Sequence, residues 1–130
     1  MIDILPPRRI LLIEDVDLMA RIYGERLTAA GLIVDRARNG RDALGLCAAA
    51  SYDLGLLDLT LPDMSGVEIL DSLRSSAPQL PFPVIVFTNT DDPLEIDAAI
   101  RAGASKVIVK NTSTPDQVSA EVMNVLNQGT

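Results

Sequence analysis

The chain has 130 residues, enough for one domain with a substantial core. Hydrophobic residues make up 48% and charged residues 22%, an ordinary globular balance, and with aromatics at 3% the core has to be aliphatic. A net charge of −7 argues against a nucleic-acid surface, which needs clustered Lys and Arg, and every apolar run is far shorter than a membrane span.

The opening MIDILPPRR has no long apolar stretch after a basic start, so it reads as neither signal peptide nor anchor. Residues 1–8 are expected to be a loose tail, and the protein is expected to be cytoplasmic. From there, short aliphatic runs alternate with helical patterns. The first run is Arg9–Glu14, RILLIE. The helical stretch DLMARIYGERLTAAG follows, with Leu18, Ile22 and Leu27 near helical spacing and Gly31 closing it as a C′ glycine does. The second run is Leu32–Ala37, after which Asn39 and Gly40 turn the chain into RDALGLCAAA. Cys47, the single cysteine, can form no intrachain disulfide and is expected to be a small buried hydrophobe there.

The third run is Leu54–Asp58, and after a Pro62–Gly66 loop comes the helical VEILDSLRSSA. The fourth is Pro83–Thr88; Asp92 is expected to cap the next helix, DPLEIDAAIRAGA, with Pro93 at its first position. The fifth is Lys106–Lys110, and Thr114 and Pro115 play the same parts for the last helix, TPDQVSAEVMNVLNQ. Five βα units predict a single α/β domain over residues 9–128, a parallel sheet with helices on both faces. The third, fourth and fifth runs are continuously apolar, as strands buried on both faces are. The chain shows no linker, repeat or low-complexity segment.

In an open parallel sheet the chemistry gathers at the carboxyl ends of the strands. Glu14, Asp15 and Asp17 follow the first run, Asp58 the third, Thr88, Asn89 and Thr90 the fourth, and Lys110 closes the fifth. Glu14, Asp15 and Asp58 converge if the first and third strands are neighbours. Carboxylates that close repel, and a hard divalent cation resolves the repulsion; magnesium prefers oxygen ligands and typically takes one or two carboxylates plus a phosphate. Asp58 is then a candidate nucleophile toward a phosphoryl donor, with Lys110 neutralising the transferred group and Thr88 donating a hydrogen bond to it. Taken singly, most of these residues have plainer readings. Asp15 or Asp17 suits a helix cap, Thr88 a strand end, and Lys110 a solvated charge. Asp58 resists that treatment, because no helix starts directly after it.

The set, in the pieces ILLIEDVDLM, YDLGLLDLTLPDMSGVEIL, PVIVFTNTDD and GASKVIVKN, resembles the receiver domain of bacterial two-component response regulators, over roughly Arg9 to Leu126. The resemblance implies a flavodoxin-like (βα)5 fold with strand order 2-1-3-4-5. It implies Asp58 as phosphoacceptor, and Glu14 and Asp15 as an acidic pair holding magnesium (manganese substituting), with the backbone carbonyl of Thr60 as a further ligand. Thr88 would be the switch hydroxyl and Lys110 the family lysine, with Pro62 and Gly66 in the turn after the acceptor. Such a domain is no enzyme in the ordinary sense; its own phosphorylation and dephosphorylation are the chemistry open to it. The implied donor is a histidine kinase or histidine phosphotransfer protein. The implied output is a protein contact through the helix near Pro93, the fifth strand and the last helix, made as a monomer or weak homodimer, with no nucleic-acid or membrane partner.

Three positions depart from the family pattern. Val107 stands where an aromatic is common, Asn111 where a proline after a cis bond is common, and Asn89 where a small residue is common. A cis bond before a non-proline costs about 2.5–4 kcal/mol, so the Lys110 loop is expected to be trans and placed differently. These departures lend weight to an alternative, a pseudo-receiver acting as an interaction module without phosphorylation. A magnesium-dependent phosphatase of similar topology would want an acid where Thr60 stands. A flavodoxin-like cofactor binder would want a Ser-, Thr- or Gly-rich loop where EDVDLM stands.

Overall fold

The structure, a computed structural model, describes residues 6–75 and 79–128. Strands β1 (Arg9–Ile13), β2 (Ile33–Ala37), β3 (Leu54–Leu57), β4 (Val84–Thr88) and β5 (Lys106–Val109) form one parallel sheet. Their order is β2-β1-β3-β4-β5, the order the family resemblance implies. Helices α1 (Asp17–Ala29), α2 (Gly40–Ala49), α3 (Gly66–Leu73), α4 (Pro93–Arg101) and α5 (Pro115–Gln128) alternate with them.

Strand alternation divides the core between two faces. Ile10 and Leu12, Leu54 and Leu56, Ile85 and Phe87 pack with Tyr23 and Leu27 of α1 and Val118 and Val122 of α5. Leu11 and Ile13, Leu57, Val84 and Val86 pack on the other face with Ile69 and Leu70 of α3 and Ala99 of α4. Apart from Arg9 at the start of β1, the central strands are buried throughout, as their apolar runs require. β5 is different. It lies at the sheet edge with Ile108 buried in the first face of the core and Val107 half-buried against the second, so both its faces are covered, though less fully than those of the central strands.

Side-chain caps set most helix starts. Asn39 accepts from the Asp42 N–H at 2.8 Å and opens α2. Ser65 and Glu68 form a reciprocal capping box on α3, and Thr114 and Gln117 exchange the same pair of bonds ahead of α5. Asp92 and Pro93 open α4 as expected. The α1 start corrects the expectation for Asp15 and Asp17: its N-cap is Val16, with no side-chain cap. The buried stripe of α1 is also shifted, to Ala20, Tyr23 and Leu27, while Leu18 is 59% exposed. Gly31 closes the helix at φ +92°, the left-handed region that favours glycine.

The chain is tied to the sheet from Arg8, whose carbonyl accepts from the Ile33 N–H at 2.9 Å, so the expected loose tail ends sooner; residues 1–5 lie outside the described residues. Ser76 and Ala77 of the expected third helix also lie outside them, and α3 ends at Leu73. Cys47 is half-buried against the second face of the core. Among the described residues no helix is long and apolar enough to cross a membrane.

Candidate functional site

β1 and β3 are neighbours in matched register, with Ile13 opposite Leu57. The next residue of each strand is therefore an acid, and Glu14 and Asp58 stand side by side; the Asp58 N–H donates to the Ile13 carbonyl at 3.1 Å. On the far side, Thr88 ends β4 opposite Val109, and Lys110 follows one residue later. Strand order and register alone thus carry four polar residues to one edge of an aliphatic sheet.

Lys110 joins them. Its Nζ lies 2.6 Å from Glu14 Oε1 and 3.2 Å from Asp58 Oδ2. The ammonium is no solvated charge, since its side chain is 8% exposed, against 0% for Glu14 and 9% for Asp58. The Phe87 ring underlies it, with Nζ 4.5 Å from the centroid, a cation–π contact in a desolvated place. Lys110 starts a short 3-10 turn, Lys110–Thr112, and no peptide among the described residues is cis. The trans bond before Asn111 accords with expectation, and the Lys110 amine still reaches both acids.

The charges are strongly coupled to burial. Desolvation pushes the Glu14 carboxyl above its ordinary range, and the Lys110 hydrogen bond and charge offset this only in part. For Lys110 burial alone would lower the pKa, but the hydrogen bond it donates to Glu14 and the charges of Asp58 and Glu14 outweigh it, and the amine is held above its ordinary value. The remaining Glu14 oxygen, Oε2, accepts from the Val16 N–H at 3.2 Å, and Asp58 Oδ1 accepts from the Thr60 N–H at 3.1 Å. Asp15 is exposed at the rim. The Thr88 hydroxyl is buried and accepts from the Thr90 N–H at 3.2 Å, which ties it to the loop leading into α4.

Carboxylate oxygens of Glu14, Asp15 and Asp58 lie within 4.8 Å of one another. An all-oxygen, multiply anionic set suits a hard cation such as magnesium, so the residues present fit that ion. Asp17 stays out of the group; the Arg36 hydrogen bond and the Arg38 charge hold its carboxyl below the usual carboxylate range. Three contributors escaped the sequence reading. Arg36 donates through Nε to the Glu14 carbonyl at 2.9 Å. Asp63 accepts from the Gly40 and Arg41 N–H groups at 2.8 and 2.9 Å, pinning the loop after Asp58 to the start of α2. Phe87 looked like any core residue. Only for Asp63 was there a signal, an acid in a turn between Pro62 and Gly66.

A five-stranded parallel sheet in this order, with an acidic pocket and a buried lysine at its carboxyl edge, defines the receiver class of two-component signalling domains. The response regulator receiver domain family model matches residues 10–122, and the chain belongs to that family. It is 33% identical over 111 residues to the aerobic respiration control sensor protein ArcB of Escherichia coli K12, covering 85% of this chain and 14% of that protein. It is 33% identical over 103 residues to the transcriptional regulatory protein PcoR of Escherichia coli, covering 79% of this chain and 45% of PcoR. The chain thus spans less than half the length of either relative. Among solved structures, the signal receiver domain of a putative LuxO repressor protein from Vibrio parahaemolyticus superposes with a TM-score of 0.85 at 28% identity, covering 95% of this chain and 92% of that one.

Proposed function

We propose that this receiver domain takes a phosphoryl group onto Asp58 from a histidine kinase or histidine phosphotransfer protein. The observation that carries the reading is Lys110, buried and bridging Glu14 and Asp58 through one ammonium. An Asp58 oxygen forms the new P–O bond as the P–N bond of the donor phosphohistidine breaks, and the leaving imidazole keeps the electron pair and takes up a proton. Lys110 neutralises charge on the phosphoryl oxygens as it leaves Asp58 Oδ2, and the Thr60 N–H orients the other carboxylate oxygen. Glu14, Asp15, Asp58 and the Thr60 carbonyl would hold magnesium, which supplies charge neutralisation across the phosphoryl oxygens.

The added phosphate, about −2 at neutral pH, attracts the Thr88 hydroxyl, which must then surrender its bond from Thr90. The loop to α4 follows, and a pre-existing equilibrium shifts on the face made by α4, β5 and α5. A downstream protein reads that face, and the domain works in the cytoplasm as a monomer or weak homodimer over residues 9–128. Val107, small and half-buried on β5, makes this readout depend on the Thr88 loop more than on a swinging aromatic.

Intact mass after incubation with magnesium and acetyl phosphate tests the proposal. A single phosphate adduct is expected, absent in Asp58→Asn and in EDTA. No adduct from acetyl phosphate or from a phosphohistidine donor would leave the pseudo-receiver as the better account.

A further inference from the structure

The loop between β1 and α1 has to present Glu14 and Asp15, yet its local sequence does little to hold it. Val16 caps α1 without a side-chain bond, and Asp15 and Val16 are exposed. Beside the Val16 N–H and Lys110 bonds to the Glu14 carboxylate, what holds its backbone comes from β2. The Glu14 N–H donates to the Ala37 carbonyl at 3.0 Å, and the Glu14 carbonyl accepts from Arg36 Nε at 2.9 Å. The same guanidinium reaches past the loop and donates through Nη1 to Asp17 Oδ1 at 2.9 Å. Arg36 is itself anchored, paired in the sheet opposite Leu12.

We infer that Arg36 is a positioning residue for the magnesium site, its planar fork clamping the Glu14 peptide and the first residue of α1 so that the Glu14 and Asp15 carboxylates stand where a cation needs them. The inference rests on the magnesium site proposed above. A guanidinium can do this because it offers donors in a fixed fork, which a lysine ammonium cannot reproduce. Its Nη2 is buried without a partner among the described residues. An unpaired buried donor is unfavourable, so the placement is dictated by the two bonds Arg36 does make. Arg38, 3.2 Å from the same Asp17 oxygen, is 64% exposed and among the described residues pairs with that acid alone.

The rival account makes Arg36 just a nearby positive charge, and the two accounts predict opposite signs. Removing a cation beside a cation site strengthens magnesium binding by simple Coulomb attraction. Removing a clamp weakens it, and outer residues that orient metal ligands typically cost 10–100-fold in affinity when replaced. The experiment is calorimetric titration of magnesium chloride into wild type, Arg36→Ala and Arg36→Lys, with circular dichroism and urea midpoints verifying the fold of each. We expect affinity to fall by about 10-fold or more in Arg36→Ala, and Arg36→Lys to stay well below wild type although its charge is kept. Should Arg36→Ala fail to fold, Arg36→Lys decides alone. Wild-type affinity in Arg36→Lys, or unchanged or tighter binding in Arg36→Ala, overturns the clamp while leaving the metal site intact. A wild type that takes up no magnesium overturns the site and the clamp together.

Discussion

Replacing Lys110 with Ala removes the partner of a carboxylate that is fully buried. Glu14 then has two courses, to stay ionised without a counter-charge or to take up a proton. The second sets the ceiling on the loss. From the ordinary value of 4.5 to pH 7, protonation costs about 1.36 kcal/mol per unit, or ~3.4 kcal/mol in all. Because the wild-type carboxyl already stands above 4.5, the loss falls short of that ceiling, and about 1–3 kcal/mol at pH 7 is expected. The sign of the pH dependence follows. A Glu14 pKa raised further in the folded state is harmless below the unfolded value and increasingly unfavourable above it. The variant's deficit should thus be small near pH 4.5 and grow toward neutrality. Urea unfolding in EDTA at pH 5 and pH 7 measures this, with Glu14→Gln/Lys110→Ala as the companion. That double variant has no buried carboxylate at position 14 and should recover much of the pH 7 loss. A deficit equal at both pH values, or a double variant no more stable than Lys110→Ala, would refute the assignment of the loss to Glu14.

The remaining expectations concern the metal and the glycines. Magnesium at 100 times its dissociation constant should stabilise the wild type by about 2.7 kcal/mol and raise Tm, with Asp15→Asn showing a smaller rise. Thermal scans with and without EDTA read this directly, and an equal rise in the variant would remove Asp15 from the site. A Cβ at Gly66 would meet Leu59 Cδ2 at 2.6 Å and its Cα at 2.9 Å, so Gly66→Ala must shift backbone next to Asp58 and should cost about 1–3 kcal/mol in urea unfolding. Gly45 lies inside α2 with nothing within 4 Å of its Cβ direction, and Gly45→Ala should stabilise by about 0.5–1 kcal/mol in the same assay.

Much of the fold was legible because its signals are local. Aliphatic runs separated by capped amphipathic stretches define βα units whatever lies elsewhere, and Asn39, Asp92 and Gly31 act on backbone groups within a few residues of themselves. The candidate site was legible for a related reason. A polar group at the end of an apolar run can go only to the strand's carboxyl end, so Glu14, Asp58, Thr88 and Lys110 were located by position before any packing was known.

Other features are decided only when distant segments meet. How fully β5 is covered depends on its place at the edge, and its four residues read alike in a central or an edge setting. Which stripe of α1 faces inward depends on the sheet beneath, so Leu18 looked as apolar as Leu27 and yet faces outward. Lys110 is a surface residue by composition; it becomes a buried counter-ion because β4 brings Phe87 beneath it and β1 and β3 bring Glu14 and Asp58 against it. The grip of Arg36 on the Glu14 carbonyl spans 22 residues of sequence. Periodicity and capping report the fields a residue makes for its neighbours in the chain; burial and ion pairing depend on neighbours supplied by strand order and register, which only the assembled sheet provides.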